Sequence, residues 1–330
     1  MSKEFLDLEV PYGLHLHGYL VRADESERQI QYLCPECKQP LVFRAGEYNV
    51  KHFAHNANAL CTRESIIHKT AQMLIAQTIR DQADFQKRRP INIQTTCVCC
   101  DLDVTRPLPH DMFTDVCIEK YVGDYRCDVV AQRDDKDILA IEILFSHKVG
   151  EIKAKNLKIR WVELEAEAVL LNPHYWQPTQ YKLKPALCEQ CKNHINKLNE
   201  IIAKFNHEPC SAAIYKDPTK GPYLAEIEKC FSCKQEIPVY WWNGVVFCQK
   251  NPPEPKPRTI NFKYSKSYQG SYWANTCANC NATQGDNFLF LGVDGRKPVF
   301  EGLPIQYTEE MKQARSDSMK SVISHMFRNF

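Results

Sequence analysis

Between residues 62 and 170 the spacing of apolar side chains changes in a definite order. TRESIIHKTAQMLIAQTIRDQ sets Ile66, Ile67, Leu74, Ile75 and Ile79 at helical spacing, and Thr62 and Glu64 suit its first turn. TDVCIEKY, DYRCDVVAQR and ILAIEILFSH read as three short strands of β-branched and apolar residues, separated by a Val-Gly turn and the polar turn DDKD. VGEIKAKNLKIR is basic and helical, and WVELEAEAVLL opens as a strand. Helix, three strands, helix and strand is the order of an α/β sandwich with a mixed sheet.

The flanks read differently. LVFRAG before this region, and PVYWWNGVVF and NFLFLGV after it, are strand-like. NPPEPKPR, residues 251–258, cannot form a ladder and is expected as a loop. The end of the chain predicts an amphipathic helix with Met311, Met319, Ile323 and Met326 near one face, suited to capping its own domain. Three segments are expected: 1–61, 62–200 and 201–330.

With 330 residues, 44% hydrophobic and 25% charged, the chain can bury one large core or two to three ordinary ones, which excludes disorder. No apolar run of roughly 18 residues occurs and MSKEFLDLEVPYG lacks a signal-peptide core, so a soluble cytoplasmic protein is expected. Lys and Arg number 42 against 40 Asp and Glu, so no global positive field exists and nucleic-acid binding needs local patches. RTINFKYSKSYQGSYWANT is one candidate. It interleaves Arg258, Lys263 and Lys266 with Tyr264, Tyr268, Tyr272 and Trp273, cations for phosphates and rings for bases, although an ordinary edge strand reads the same way. No Gly-rich phosphate loop, dinucleotide fingerprint or serine nucleophile elbow is present.

The 16 cysteines change the picture. In a reducing compartment, thiols at short fixed spacing point to metal before disulfides. Cys34/Cys37, Cys97/Cys100, Cys188/Cys191, Cys230/Cys233 and Cys277/Cys280 all read Cys-x-x-Cys, which lets one tight turn present two sulfurs to one tetrahedral ion. A redox role is disfavoured because the pairs bracket hairpins. Four ligands close a structural site, so the pairs must be matched. After Cys34 and Cys37, KHFAHNANALC offers His52, His55 and Cys61; Cys34, Cys37, His55 and Cys61 are the expected set, with a Cys2His2 site through His52 and His55 as the alternative. Cys230, Cys233, Cys277 and Cys280 suit a zinc ribbon carrying an insertion. By elimination Cys97, Cys100, Cys188 and Cys191 share an ion, and Cys99, His194 or Cys210 are possible substitutes there. About three structural Zn2+ are therefore expected, in closed sites with no open position for chemistry. With eleven cysteines ionised around them, the formal +2 moves to about −3.

Chemistry is sought instead at two carboxylates inside apolar strands, Asp128 in RCDVVA and Glu142 in LAIEILF. An ionised carboxylate there costs several kcal/mol unless a cation or proton compensates it. On adjacent antiparallel strands the two come side by side and form the oxygen half-shell that Mg2+ or Mn2+ prefers, leaving positions for water and a phosphate oxygen. That is the arrangement for metal-assisted phosphodiester hydrolysis. Glu64, at the exposed start of the helix, is a candidate third carboxylate. The plainer reading pairs Asp128 and Glu142 with Arg126, Arg133 or Lys148.

YLCPEC, KHFAH, ESIIH, YRCDVVA, AIEILFSH and the lysine-bearing helix that follows occur in one order from residue 32 to about 165. In these motifs the chain resembles the competence protein CoiA-like group. The resemblance covers about two fifths of the sequence and implies a zinc-finger-like N-terminus leading into a PD-(D/E)XK restriction-endonuclease-like core. It implies Glu64 as the helical acid, His68 one turn later, Asp128 as the motif aspartate and Glu142 as the motif glutamate. Leu144 departs from the pattern, because it stands where the family carries Gln or Lys. Lys153 on the next helix is the expected substitute, followed by His147 and then Lys148. The expectation is a Mg2+- or Mn2+-dependent nuclease acting on DNA in competence, repair or defence. Its competitor is a non-catalytic zinc-ribbon binding or assembly subunit on a degenerate nuclease fold; a protein partner or second copy of the chain is compatible with either.

Overall fold

The computed structural model describes the chain except residues 1–4, 6, 47–49, 57–59, 85, 88, 147, 206–210, 216–220, 267, 293–294 and 308–330. His147, Cys210 and the expected C-terminal helix lie outside the described residues. The chain forms two compact units, residues 1–96 with 103–186, and residues 97–102 with 187–330. The expected boundary after residue 61 falls inside the first unit. Among the described residues no helix is long and apolar enough to cross a membrane.

The first unit begins with strands β1 (Tyr12–His15), β2 (Leu20–Arg22) and β3 (Tyr32–Leu33) in one small sheet, followed by the hairpin β4 (Leu41–Arg44) and β5 (His52–His55). Helix α1 (Arg63–Ala83) starts at Thr62, whose Oγ1 accepts from the Ser65 amide at 3.1 Å, satisfying one of the helix's orphan donors. Strands β6 (Asn92–Thr96) and β7 (Asp103–Pro107) form a hairpin whose tip, 97–102, belongs to the second unit. Then come β8 (Asp115–Val122), β9 (Tyr125–Arg133), β10 (Lys136–Leu144), α2 (Glu151–Asn156), β11 (Arg160–Glu165), α3 (Ala166–Leu171), β12 (Tyr175–Trp176) and β13 (Gln180–Lys182). The predicted sequence of helix, three strands, helix and strand is therefore present. The predicted basic helix shrinks to the six residues of α2, and WVELEAEAVLL divides into a strand and a short helix.

The main sheet runs β13-β11-β10-β9-β8, antiparallel except where β10 and β11 lie parallel. Helix α1 covers it with Ile67, Leu74, Ile75 and Ile79, which share a core with Val129, Ile141 and Val162. Ile66 instead joins a smaller cluster with Cys34, Leu41 and Phe53. Adjacent residues on one helical turn thus serve two cores, which anchors the β4–β5 hairpin to the start of α1.

The second unit holds α4 (Glu189–Lys204), β14 (Ser211–Ala212), β15 (Tyr223–Lys229), β16 (Glu236–Trp242), β17 (Ile260–Ser265), β18 (Gly270–Thr276) and β19 (Thr283–Gln284). They make two three-stranded sheets, β14-β15-β16 and β17-β18-β19. Tyr240, Trp241, Trp242, Tyr272 and Leu289 belong to their common core. NFLFLGV, expected as a strand, is instead one turn of π-helix over Asn287–Leu291 that ends at Gly292 with φ +75°. A short apolar run is ambiguous between strand and buried turn, and here only Leu289 and Phe290 face inward.

Asn275 joins the two sheets. Its Oδ1 accepts from the Tyr240 amide and its Nδ2 donates to the Tyr240 carbonyl, both at 2.8 Å and fully buried. Asn275→Ala removes both hydrogen bonds to the buried Tyr240 backbone, so urea unfolding should show a loss of about 2–4 kcal/mol. A change below 0.5 kcal/mol, the scale of an ordinary surface substitution at about ±0.5, would contradict this account.

Candidate metal centres and carboxylate site

Four of the five Cys-x-x-Cys segments fold the same turn. The amide of the first cysteine donates five residues ahead, Cys34 to Gln39, Cys97 to Leu102, Cys230 to Gln235 and Cys277 to Ala282, at 2.8, 2.8, 2.9 and 2.8 Å. The residue after the second cysteine closes the turn onto the first cysteine's carbonyl: Lys38, Asp101, Lys234 and Asn281, at 3.0, 3.0, 3.0 and 2.9 Å. These four residues carry φ of +60°, +57°, +64° and +59°, a left-handed conformation that non-glycine residues adopt at a cost. The fifth pair differs. Cys188 caps α4, and its sulfur accepts from the Cys191 amide at 3.4 Å.

Three clusters result, each with its ligand atoms within 4.8 Å of one another: Cys34, Cys37, His55 and Cys61; Cys97, Cys100, Cys188 and Cys191; Cys230, Cys233, Cys277 and Cys280. Cys100 and Cys188 sulfurs lie 3.6 Å apart, Cys233 and Cys277 3.6 Å, and Cys230 and Cys280 3.7 Å. A disulfide would need about 2.05 Å. Zinc with Zn–S bonds of about 2.3 Å sets tetrahedral edges of about 3.8 Å, which these separations match. His55 Nε2 lies 3.6 Å from the Cys37 sulfur, whereas His52 turns its Nδ1 to the Val50 carbonyl at 2.9 Å. His194 is held by Glu226 at 2.6 Å rather than by the cysteine cluster. Burial pushes Cys34 and Cys277 up to about 12, and a divalent ion is what lets such thiols shed their protons. Three clusters of this geometry can each hold one zinc ion.

The carboxylates meet where two strands separate. The ladder between β9 and β10 runs to Ile141 opposite Val129. One step further, the Ile143 amide donates to Asp128 Oδ2 at 2.7 Å in place of a backbone carbonyl. Asp128 Oδ1 accepts from Gln72 Nε2 at 2.9 Å and lies 3.1 Å from His68 Nε2, both one helical turn apart on α1. Burial pushes Asp128 up, but the hydrogen bonds from His68 and the Ile143 amide outweigh it and hold the carboxyl below its ordinary range. His68 is raised in turn, chiefly by its bond to Asp128.

Glu142 has the opposite balance. Burial raises it despite Lys153, whose Nζ lies 2.6 Å from Glu142 Oε2 and also donates to the Arg126 carbonyl at 2.6 Å. Glu142 Oε1 is buried and has no hydrogen-bond partner among the described residues. A cation suits such an orphaned oxygen, so Glu142 Oε1 is the carboxylate atom here that could accept one. Glu64 accepts from the Ser146 hydroxyl, and among the described residues no ligand cluster joins it to those two carboxylates. Leu144 is half-buried and offers no polar atom to the site.

Two residues that pattern reading passed over belong here. Gln72 hid among helical core positions; its spacing of four from His68 was the available signal. Glu163 is 1% exposed on β11, in register with Glu142, and accepts from the Val149 amide at 2.5 Å and the Thr179 hydroxyl at 2.5 Å. A carboxylate inside an apolar strand singled out Asp128 and Glu142, and the same rule applied to WVELEA finds Glu163.

Residues 20–64 match the family model described as competence protein CoiA, N-terminal domain. The matched segment contains all four ligands of the first cluster and ends at Glu64, and it supports the competence protein CoiA family for this chain. Neither the comparison with curated proteins nor that with solved structures gave a match.

Elemental analysis of purified protein should find about three zinc ions per chain, and stripping them with a chelator should cost far-UV structure. A zinc content near zero would rule out the cluster assignment. The His68–Asp128 pair makes a second expectation. His68 contributes fully below its ordinary 6.5 and loses that contribution as pH rises through its raised pKa; Asp128 contributes fully above 3.8 and loses it as pH falls through its lowered one. The stability gap between wild type and Asp128→Asn should therefore narrow as pH rises above 6.5 and through the raised His68 pKa. A gap independent of pH across that range would remove the ion pair from the account.

Proposed function

We propose that the protein is a metal-dependent nuclease that hydrolyses phosphodiester bonds in DNA. The observation that carries this reading is the convergence of Asp128, Glu142 and Lys153 at the point where β9 and β10 part. The topology supports it: a helix, three antiparallel strands, a helix and a strand parallel to the third are the order of the PD-(D/E)XK restriction-endonuclease-like core.

A bound Mg2+ or Mn2+ supplies a Lewis acid for a phosphate oxygen and lowers the pKa of its water. The residues of the chain do the rest. Asp128 and Glu142 would hold the ion through their carboxylates, Glu142 offering its unpartnered Oε1. His68, Gln72 and the Ile143 amide fix the angle of Asp128. Lys153 takes the place that Leu144 leaves vacant: its ammonium lies against Glu142 and can pass to a phosphate oxygen as charge builds in the transition state. The zinc modules then grip or position the nucleic acid, consistent with the competence family to which residues 20–64 point.

One observation favours a second reading. Asp128 already accepts from three groups and Leu144 is apolar, as in a degenerate nuclease fold retained by a non-catalytic zinc-ribbon nucleic-acid-binding or assembly subunit. Incubation with linear duplex and single-stranded DNA in Mg2+ or Mn2+ separates the two. Wild type should cleave, and Asp128→Ala and Glu142→Ala should each lower the rate by about a hundredfold or more, the scale of losing one transition-state electrostatic contact. Equal cleavage by all three would place activity elsewhere, and no cleavage with either ion would favour the binding subunit.

A further inference from the structure

The second unit carries two adjoining cavities unrelated to the carboxylate site. One, of about 340 Å³, is walled by Phe247 and Tyr272 and rimmed by Phe231, Tyr264 and Phe288. These three rim rings are 63%, 66% and 54% exposed, an unusual density of bare aromatic surface. Asp286 also lines this cavity. Its side chain is 1% exposed, its Oδ2 accepts from the Phe247 amide at 2.8 Å, and its Oδ1 has no partner among the described residues. An orphaned carboxyl oxygen in an aromatic pocket is costly unless a ligand donor completes it.

The second cavity, of about 410 Å³, shares Phe231, Gly285 and Phe288 with the first. Lys229, Lys234, Arg296 and Lys297 line it with the carboxylate of Glu228, and Lys297 also pairs with Glu301 at 3.2 Å. An aromatic pocket with a buried acceptor thus opens directly onto a cationic one.

We infer that this paired cavity binds single-stranded nucleic acid, with one base stacked among Phe231, Tyr264 and Phe288 and hydrogen-bonded to Asp286, and its phosphate in the cationic pocket. Flat rings bind the π-face that every base has, cations track the backbone, and a duplex keeps its bases out of such a pocket. The site lies wholly in the second unit and does not depend on cleavage at Asp128 and Glu142. Strands β17 and β18, within RTINFKYSKSYQGSYWANT, contribute Tyr264 and Tyr272, and Phe247, the Cys-x-x-Cys turn at Phe231 and the π-helical turn at Phe288 add the other rings.

The test is fluorescence anisotropy of a labelled single-stranded DNA 12-mer titrated with the full zinc-loaded chain, without added Mg2+ or Mn2+. Phe231→Ala combined with Phe288→Ala should weaken binding by at least about tenfold. Arg296→Gln combined with Lys297→Gln should flatten the salt dependence. Because all four side chains are on the rim, circular dichroism and zinc content should match wild type. Because no Mg2+ or Mn2+ is present, the titration reads binding apart from cleavage, so a failed nuclease reading and a failed binding reading give different patterns. Unchanged affinity in the aromatic variant, or equal competition by the same sequence as a duplex, would overturn the inference.

Discussion

A tetrahedral ligand set imposes a fixed edge between sulfurs, and the smaller parts of this protein are built around meeting it. Four separate segments accept a left-handed residue directly after the second cysteine, at Lys38, Asp101, Lys234 and Asn281, because only that backbone returns the chain onto the first cysteine's carbonyl while both thiols face one point. None of the four is glycine, so each conformation is held against its own cost by the paired hydrogen bonds and the cluster. The β4–β5 hairpin buries Leu41 and Phe53 in a small cluster with Cys34 and Ile66, and a metal ion in the cysteine cluster would add closure to it.

The larger sheet solves a different problem. A carboxylate in the middle of an apolar strand has to be compensated, and the structure does so by ending the β9–β10 ladder early. The Ile143 amide, freed from a backbone partner, goes to Asp128, and α1 brings His68 and Gln72 to the same carboxylate. Glu142 is compensated from the other side by Lys153 and keeps one oxygen unpaired. The two acids are therefore pushed in opposite directions, Asp128 toward the ionised form and Glu142 toward the protonated one, although they sit on neighbouring strands.

The regular elements were legible wherever period and length agreed. The long helix from Arg63 and the three strands that follow it stand out because their apolar spacing is sustained over enough residues to exclude alternatives. NFLFLGV was not legible, because a run of four apolar residues satisfies a strand and a buried turn equally. Gln72 and Glu163 were missed for a related reason: a polar residue in an apolar element signals a partner only once its neighbours in space are known.

Cysteine spacing by itself pointed to clusters that can hold metal, since a Cys-x-x-Cys turn is a local device whose geometry depends on four residues. It also identified Asp128 and Glu142 as acids that need compensation, because burial in an apolar strand is a local property too. Tertiary structure alone decided which partners each accepts. Pairing Cys97 and Cys100 with Cys188 and Cys191 joins segments about ninety residues apart, and choosing His55 over His52 depends on which way a two-stranded hairpin faces. The same holds for Lys153 against Glu142 and Asp286 beneath its aromatic rim. Such contacts are set by how sheets and turns pack, and packing is a property of the whole chain that no local spacing encodes.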